Sequence, residues 1–373
     1  MVNNHETIAL EVRKLINSNV EIIYDEPLVY YGLNSLKLMQ LIYRLENLFH
    51  FSFTDEELSG HNFSTVSSIN ETINKKKHDI IIDSSNNSLN QKEVIDNDKT
   101  LKRCVLRGGC DLRATHAFLS EAGLSITSEL TYVSDDSVII RNDHIEILNG
   151  AVSLSNDEKL MLIKHLPFYD EKIFSTVIFD NQDVVVLSLL RSYYAGLYRH
   201  KVNPYIVVPF GSYNTPFQDI ENWDAWFNGN ERTPATRTHI PLDKLNWFKE
   251  NFEFIGAMSE SIMKESLQVF REKIPGNTKL ILVNGSETDV ENGLIPERSK
   301  HYQFLNRAVQ EIVNTLPNTF VVNINQYIQN REDLMDNIGH YKRHHYKSIA
   351  RDIARFVHSN LHVNERDSNA SYL

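Results

Sequence analysis

The sequence predicts a multidomain chain: an all-α bundle first, then an α/β domain in three layers around a parallel sheet. Three observations predict it. Residues 5–75 carry apolar side chains at helical spacing, as in Leu36, Met39, Ile42, Leu45 and Phe49, which gives a helix one apolar face. Residues 76–100 hold the end of a lysine triplet, a short Ile80-Ile81-Ile82 run and then mostly Ser, Asn, Asp and Lys. That stretch has little to bury and reads as a linker. From Leu101 onward, short continuous apolar runs alternate with helical periods. This is the pattern of parallel strands covered on both faces.

Taken in order, helices are expected at about Glu6–Asn17, Leu36–Phe49 and Thr65–Asn74. Strands are expected at Arg103–Leu106, Val184–Leu190, Tyr205–Val208, Lys279–Val283 and Thr319–Val322, with helical periods at Asn251–Phe270, Tyr302–Thr315 and Tyr346–His358. The domain boundaries that follow are 1–76 for the helical domain, 77–100 for a flexible linker, 101–362 for the α/β domain and 363–373 for a polar tail. In such a sheet functional groups gather at the carboxyl ends of the strands.

With 373 residues the chain suits two domains,. Its formal net charge of -11 argues against a nucleic-acid partner, since phosphate contacts need clustered Lys and Arg. The N-terminus has no basic segment followed by an apolar one, and no apolar run reaches the length of a membrane span,. Cys104 and Cys110 are the two cysteines, which excludes a disulfide framework and makes a reducing cytoplasm the expected location. Cys104 lies within an expected strand and reads as core.

The segment Tyr31-Gly32-Leu33-Asn34-Ser35-Leu36 places Ser35 at a helix start. Gly32 permits a sharp turn, Asn34 and Ser35 favour helix initiation, and the helix end favours a negatively charged group. The run GLNSLKLMQLIYRLENLFHFSFTDEEL followed by HNFSTVSSINETI resembles the acyl and peptidyl carrier proteins over residues 5–75. That resemblance implies a four-helix bundle, with Ser35 as the attachment point of 4′-phosphopantetheine. It also implies a phosphopantetheinyl transferase, an acyl- or aminoacyl-loading enzyme and downstream biosynthetic enzymes as partners. Asn34 stands where the family usually has Asp.

In the second domain, Val105-Leu106-Arg107-Gly108-Gly109-Cys110-Asp111-Leu112-Arg113 reads as a strand, a glycine turn and a helix. Such a turn presents the residue after it at the top of a sheet. A thiol there, beside Arg107 and Arg113, is expected to have a lowered pKa and to attack as the thiolate; the other reading of Cys110 is a small buried residue. Near the far end, DLMDNIGHY precedes the last helix, and His340 from that loop is a candidate general base or acid. His340, His344 and His345 lack the acid or thiol that would complete a metal set, so no metal is expected.

These two ends resemble the SGNH, or GDSL-like, hydrolases, and among them the relatives with Gly-Ser-Cys or Gly-Asn-Cys after the first strand. The resemblance implies an SGNH-hydrolase-like fold with Cys110 as nucleophile and His340 as catalytic histidine. Asn337 occupies the position of the family's usual Asp, and Asp336 is the neighbouring candidate. Gly109, Arg113, Arg191 and Asn284 are candidates for oxyanion or substrate contacts. A hydrolase of sugar acyl esters is a third reading that the fused carrier argues against, and two functions are then open. In one, an acyltransferase or thioesterase handles carrier-bound thioesters in polyketide, nonribosomal-peptide or related biosynthesis. In the other, a carrier is fused to an SGNH-like docking or scaffold domain without activity.

Overall fold

The protein is described from a computed structural model, which covers residues 4–16, 20–33, 35–49, 51, 53, 57, 62–86, 101–120, 123–133, 139–166, 168–217, 219, 242–288, 296–335 and 340–359. The chain divides into two compact units, Met1–Lys99 and Thr100–Leu373.

The first unit is helical. Helix α1 spans His5–Ile16, a 3₁₀ turn spans Leu28–Tyr31, α2 spans Ser35–Phe49 and α3 spans Val66–Asn86. Their spacing of apolar residues turns Ile8, Val12, Leu41, Leu45, Ile69 and Ile73 into one core in which each is fully buried. A fully buried aliphatic side chain of this size stabilises a fold by about 1.5–3 kcal/mol. The 3₁₀ turn stops at Gly32, whose φ of 80° lies in the left-handed region that favours glycine,. The chain then enters α2 at Ser35. Helix α3 continues to Asn86, well past the expected end at Asn74. Residues 77–86 hold no glycine or proline to stop it,, so part of the stretch read as linker is helical. Residues 87–100 and the 363–373 tail lie outside the described residues.

The second unit is built on β1 (Lys102–Gly108), α4 (Cys110–Ser120), β2 (Leu124–Leu130), β3 (Tyr132–Val133), β4 (Ile139–Ile140), α5 (Ile145–Ser153) and α6 (Asn156–His165). It continues with β5 (Val184–Ser188), α7 (Leu190–Tyr194), β6 (Gly196–His200), β7 (Val207–Phe210), α8 (Leu242–Asn251) and β8 (Phe252–Ala257). It closes with α9 (Glu260–Lys273), β9 (Lys279–Val283), α10 (Pro296–Val313), β10 (Thr319–Val322) and α11 (Arg343–His358). Among the described residues, the main sheet has the order β10-β9-β5-β1-β2 and all its pairings are parallel.

Side chains alternate across this sheet. Cys104, Leu106, Val184, Val186, Ile281 and Val283 face α4 and α11 through Leu112, Leu119, Ile349 and Ile353. Val105, Val185, Leu187, Leu280 and Leu282 face the other way, toward Leu148 of α5, Leu267 of α9 and Val309 of α10. Both faces are therefore buried, and the unit is the expected three-layer α/β arrangement. The strand order reverses between β1 and β5, and ligands of such sheets bind outside the carboxyl ends at that point.

Two expectations fail here. The strand expected at Tyr205–Val208 forms as Val207–Phe210 and belongs to a separate antiparallel sheet of order β7-β6-β8. The helix expected over Asn251–Phe270 is instead strand β8 followed by α9. Phe252 and Phe254, two residues apart, share one face of a strand and not of a helix,. Pairing with β6 decides the matter, and Ser259 caps the helix that follows by accepting the Ile262 N–H at 3.2 Å,.

Candidate functional site

The two residues singled out for chemistry both open helices: Ser35 is the first residue of α2 and Cys110 the first of α4. Their side chains lie outside what the structure describes. Just ahead of Ser35, Val29 and Tyr30 of the 3₁₀ turn are 64% and 77% exposed. They are the apolar surface nearest in sequence to the helix start. The backbone amides of a first helical turn lack intrahelical acceptors and suit an anion.

Around Cys110 the turn is tightly specified. A Cβ on Gly108 would meet Leu112 Cδ1 at 2.7 Å and Ser188 Cβ at 3.0 Å, so only glycine fits between β1 and β5. The Gly109 N–H donates to Asp111 Oδ1 at 3.1 Å, and the Ser188 hydroxyl donates to Asp111 Oδ2. Asp111 is 1% exposed. Burial pushes its carboxyl up to about 6; the Ser188 hydrogen bond holds it down in part, and the negative charge of Asp143 adds to the rise. Gly109 was a candidate oxyanion donor. Its N–H is engaged by Asp111.

The two arginines expected beside Cys110 both make structural hydrogen bonds. Arg107 is buried, donating from Nη1 to Glu129 at 2.6 Å and from Nε and Nη2 to the Asn142 carbonyl at 2.9 and 2.7 Å. Glu129 also accepts from the Val177 N–H at 2.6 Å and the Thr176 hydroxyl at 2.7 Å. Arg107 therefore fixes the loop before α5 to the sheet. Arg113 Nη2 donates to the Thr131 carbonyl at 2.9 Å, a structural contact in place of the expected substrate contact. Asn284 is also committed: its Oδ1 accepts from the Ile324 N–H at 2.8 Å and its Nδ2 donates to Asn323 Oδ1 at 3.1 Å. It clamps the end of β9 to the chain after β10. Cys104 is buried on β1, and burial pushes its thiol up to about 12, which leaves it protonated and inert.

The loop fixed by Arg107 carries a group of residues that the sequence did not signal. Asp143 is 3% exposed, and its Oδ2 lies 3.2 Å from where a Cβ on Gly109 would sit. His144 is fully buried, and its Nδ1 accepts the Glu146 N–H at 3.0 Å, so the ring proton resides on Nε2. Burial pushes its pKa well down, helped by the charge of Arg191, and the ring is neutral. His144 Nε2, Asp143 Oδ1 and the hydroxyls of Tyr193 and Tyr302 are buried without hydrogen-bond partners among the described residues. Arg191, another candidate for oxyanion or substrate contact, lies in α7 just after β5. Its side chain makes neither a hydrogen bond nor an ion pair among the described residues, and its Nε is enclosed.

His340 sits on a hairpin pinned at its base. Leu334 and Tyr341 bridge antiparallel, the Met335 N–H donates to the His340 carbonyl at 2.8 Å, and the Lys342 N–H donates to the Asp333 carbonyl at 2.9 Å. Asp336, the expected partner of His340, falls at 336–339, outside the described residues. The His–Asp pair that is described joins His345 Nε2 to Asp333 Oδ1 at 3.2 Å. Asp333 Oδ2 also accepts the Gln329 and Asn330 N–H groups, each at 2.9 Å. This pair braces the hairpin. Tyr341 is 1% exposed, and its phenol feels the charge of Asp111.

Among the described residues, no three His, Cys, Asp or Glu side chains gather as a metal-holding group, and no helix is long and apolar enough to cross a membrane. Comparison with known proteins adds the following. A search of the curated proteins finds no match. Among solved structures, the chain is similar to a family 3 carbohydrate esterase of Clostridium thermocellum. That similarity has 13% identity and a TM-score of 0.30, over 69% of this chain and 98% of that one. It is also similar to an uncharacterized protein from Bacillus cereus ATCC 10987, at 10% identity and a TM-score of 0.27, over 96% of this chain and 89% of that one. Residues 6–73 match the family described as phosphopantetheine attachment site. Such a domain requires a phosphopantetheinyl transferase and acyl-loading partners. The N-terminal domain is therefore a carrier, which holds 4′-phosphopantetheine covalently on a serine.

Proposed function

We propose that Ser35 is the modified serine and that the α/β domain is an SGNH-like acyltransferase or thioesterase acting on the carrier's thioester in the cytoplasm. In this reading the Cys110 thiolate attacks the thioester carbonyl, the arm's thiolate leaves, and His340 returns it a proton. Asp336 orients the imidazole. The acyl-cysteine then passes its acyl group to water, an alcohol or an amine, within polyketide, nonribosomal-peptide or related biosynthesis. The Cys110 N–H at the start of α4 supplies an oxyanion donor. The segment joining the two domains raises the effective concentration of the arm at the site.

The observation that carries this reading is the turn from β1 through Gly108 and Gly109 into α4. It sits at the carboxyl end of the sheet beside the point where strand order reverses. A second reading, a carrier with an inactive docking domain, is favoured by the engagement of Gly109, Arg113 and Asn284 in structural contacts. The two are separated by treating the full chain with coenzyme A and a broad phosphopantetheinyl transferase, then loading an acyl donor. Turnover of the thioester that falls at least a hundredfold in Cys110→Ala supports catalysis. Equal discharge in both supports docking, and an unmodified Ser35 overturns the carrier site.

A further inference from the structure

We propose that the carboxyl edge of β5 and β9 binds an acyl group bearing its own carboxylate, with Arg191 as the principal contact. This inference rests on the acyl-handling reading above and names its substrate class.

The argument begins with charge. The guanidinium carbons of Arg191 and Arg298 each lie 5.5 Å from the centroid of the Tyr194 ring, so two cations share one aromatic face system,. Arg141 adds its charge near Arg191, and Asp143 is the acid that faces it. Among the described residues, Glu287 after β9 accepts from the Asn306 and Asn325 amides at 2.7 and 3.4 Å. Arg191 Nε is enclosed with no hydrogen-bond partner among the described residues; a guanidinium drawn out of water in this way is costly, and it is held where a ligand completes the pairing. A planar guanidinium fork pairs best with a carboxylate or phosphate.

Placement then selects the carboxylate. Asp143 separates the two ends of the site: its Oδ2 borders Gly109 on one side, and its charge acts on Arg191 on the other. Asp111 lies with Asp143 at the cysteine end. A negative group on the acyl chain is repelled from that end and attracted to the arginines, which leaves the thioester at Cys110. The arm's own phosphodiester is joined to the carrier serine, a full pantetheine length from the thioester, and stays outside when the thioester meets the cysteine.

The test uses the full-length chain without its arm, carrying Cys110→Ala so that no acyl transfer occurs. Binding of S-succinyl-pantetheine, S-butanoyl-pantetheine and 4′-phosphopantetheine is measured by calorimetry. The succinyl thioester is expected to bind at least tenfold more tightly than the butanoyl one. Arg191→Gln is expected to bring the two within twofold, and Arg298→Gln to narrow the gap in part. Equal affinity in the parent chain overturns the proposal and needs no second variant. So does a preference that survives Arg191→Gln, or one shown for phosphopantetheine alone. Because binding is read without Cys110, a failure of acyl transfer to that residue is a separate result.

Discussion

The two ends of the parallel sheet handle their cations in opposite ways. At the amino end, Arg271 is 3% exposed and donates to the carbonyls of Pro317, Ile274 and Gly276 at 2.8, 3.2 and 3.1 Å, and also to those of Pro275 and Thr278. Lys279 donates to the Phe356 carbonyl at 2.9 Å, and Lys102 to that of Val357 at 2.9 Å. At the carboxyl end, Arg191 has no such partners, and buried polar atoms of Asp143, His144, Tyr193, Tyr302 and Tyr341 are left unsatisfied among the described residues. An unmade buried hydrogen bond costs about 1–3 kcal/mol. The amino end is built for stability, and the carboxyl end keeps polarity in reserve for something that binds.

Substitutions at the two ends should separate along that line. The largest effect is expected from Arg271→Ala, which strips the amino-end carbonyls of their donor. A loss of about 2–4 kcal/mol is expected, read from the urea midpoint of the α/β domain. A loss below about 1 kcal/mol would break the comparison. Next is Gly108→Ala, whose methyl would overlap Leu112 Cδ1 at 2.7 Å. Overpacking of this kind costs about 1–3 kcal/mol, and it should also displace the turn that carries Cys110, lowering any turnover more than the stability loss explains.

Asp111 gives a pH signature. Its folded pKa, about 6, lies above the ordinary 3.8 because burial penalises the charged form. The folded chain therefore holds this proton more tightly than the unfolded one. Stability contributed by the neutral carboxyl is present at low pH and lost as pH rises from about 4 to about 6, by on the order of 2–3 kcal/mol. Asp111→Asn should remove that slope; an unchanged slope across the window would refute the assignment. The smallest effect is expected from Arg191→Gln. With no side-chain hydrogen bond among the described residues to lose, only its contact with the Tyr194 ring, it should shift stability by less than about 1 kcal/mol,, and a loss as large as that of Arg271→Ala would mean that Arg191 is a structural residue.

The layered core was legible because Val184–Leu187 and Leu280–Val283 are unbroken apolar runs, and burial on both sheet faces requires such runs,. Strand β8 was not, because it is six residues long and runs within three residues into the helical period of α9, and pairing with β6 decides where the helix begins. The turn before Cys110 was legible from its glycines. The setting of that turn was not: Arg107 finds Glu129 and the Asn142 carbonyl, 22 and 35 residues along the chain, and nothing local marks those partners. For the same reason Asp143 and His144 read as ordinary loop residues, and Asp333 gave no sign of pairing with His345 rather than supporting His340.

The central claim is that the acyl group leaves the arm through Cys110. The most direct measurement loads the phosphopantetheinylated full chain with a single acyl group, quenches it in acid at intervals, and maps the acyl mass to peptides. The account predicts acyl on the arm first, then on the peptide containing Cys110, and acyl retained on the arm in Cys110→Ala. An arm that discharges at the native rate in Cys110→Ala, with no acyl ever found on that peptide, would contradict it.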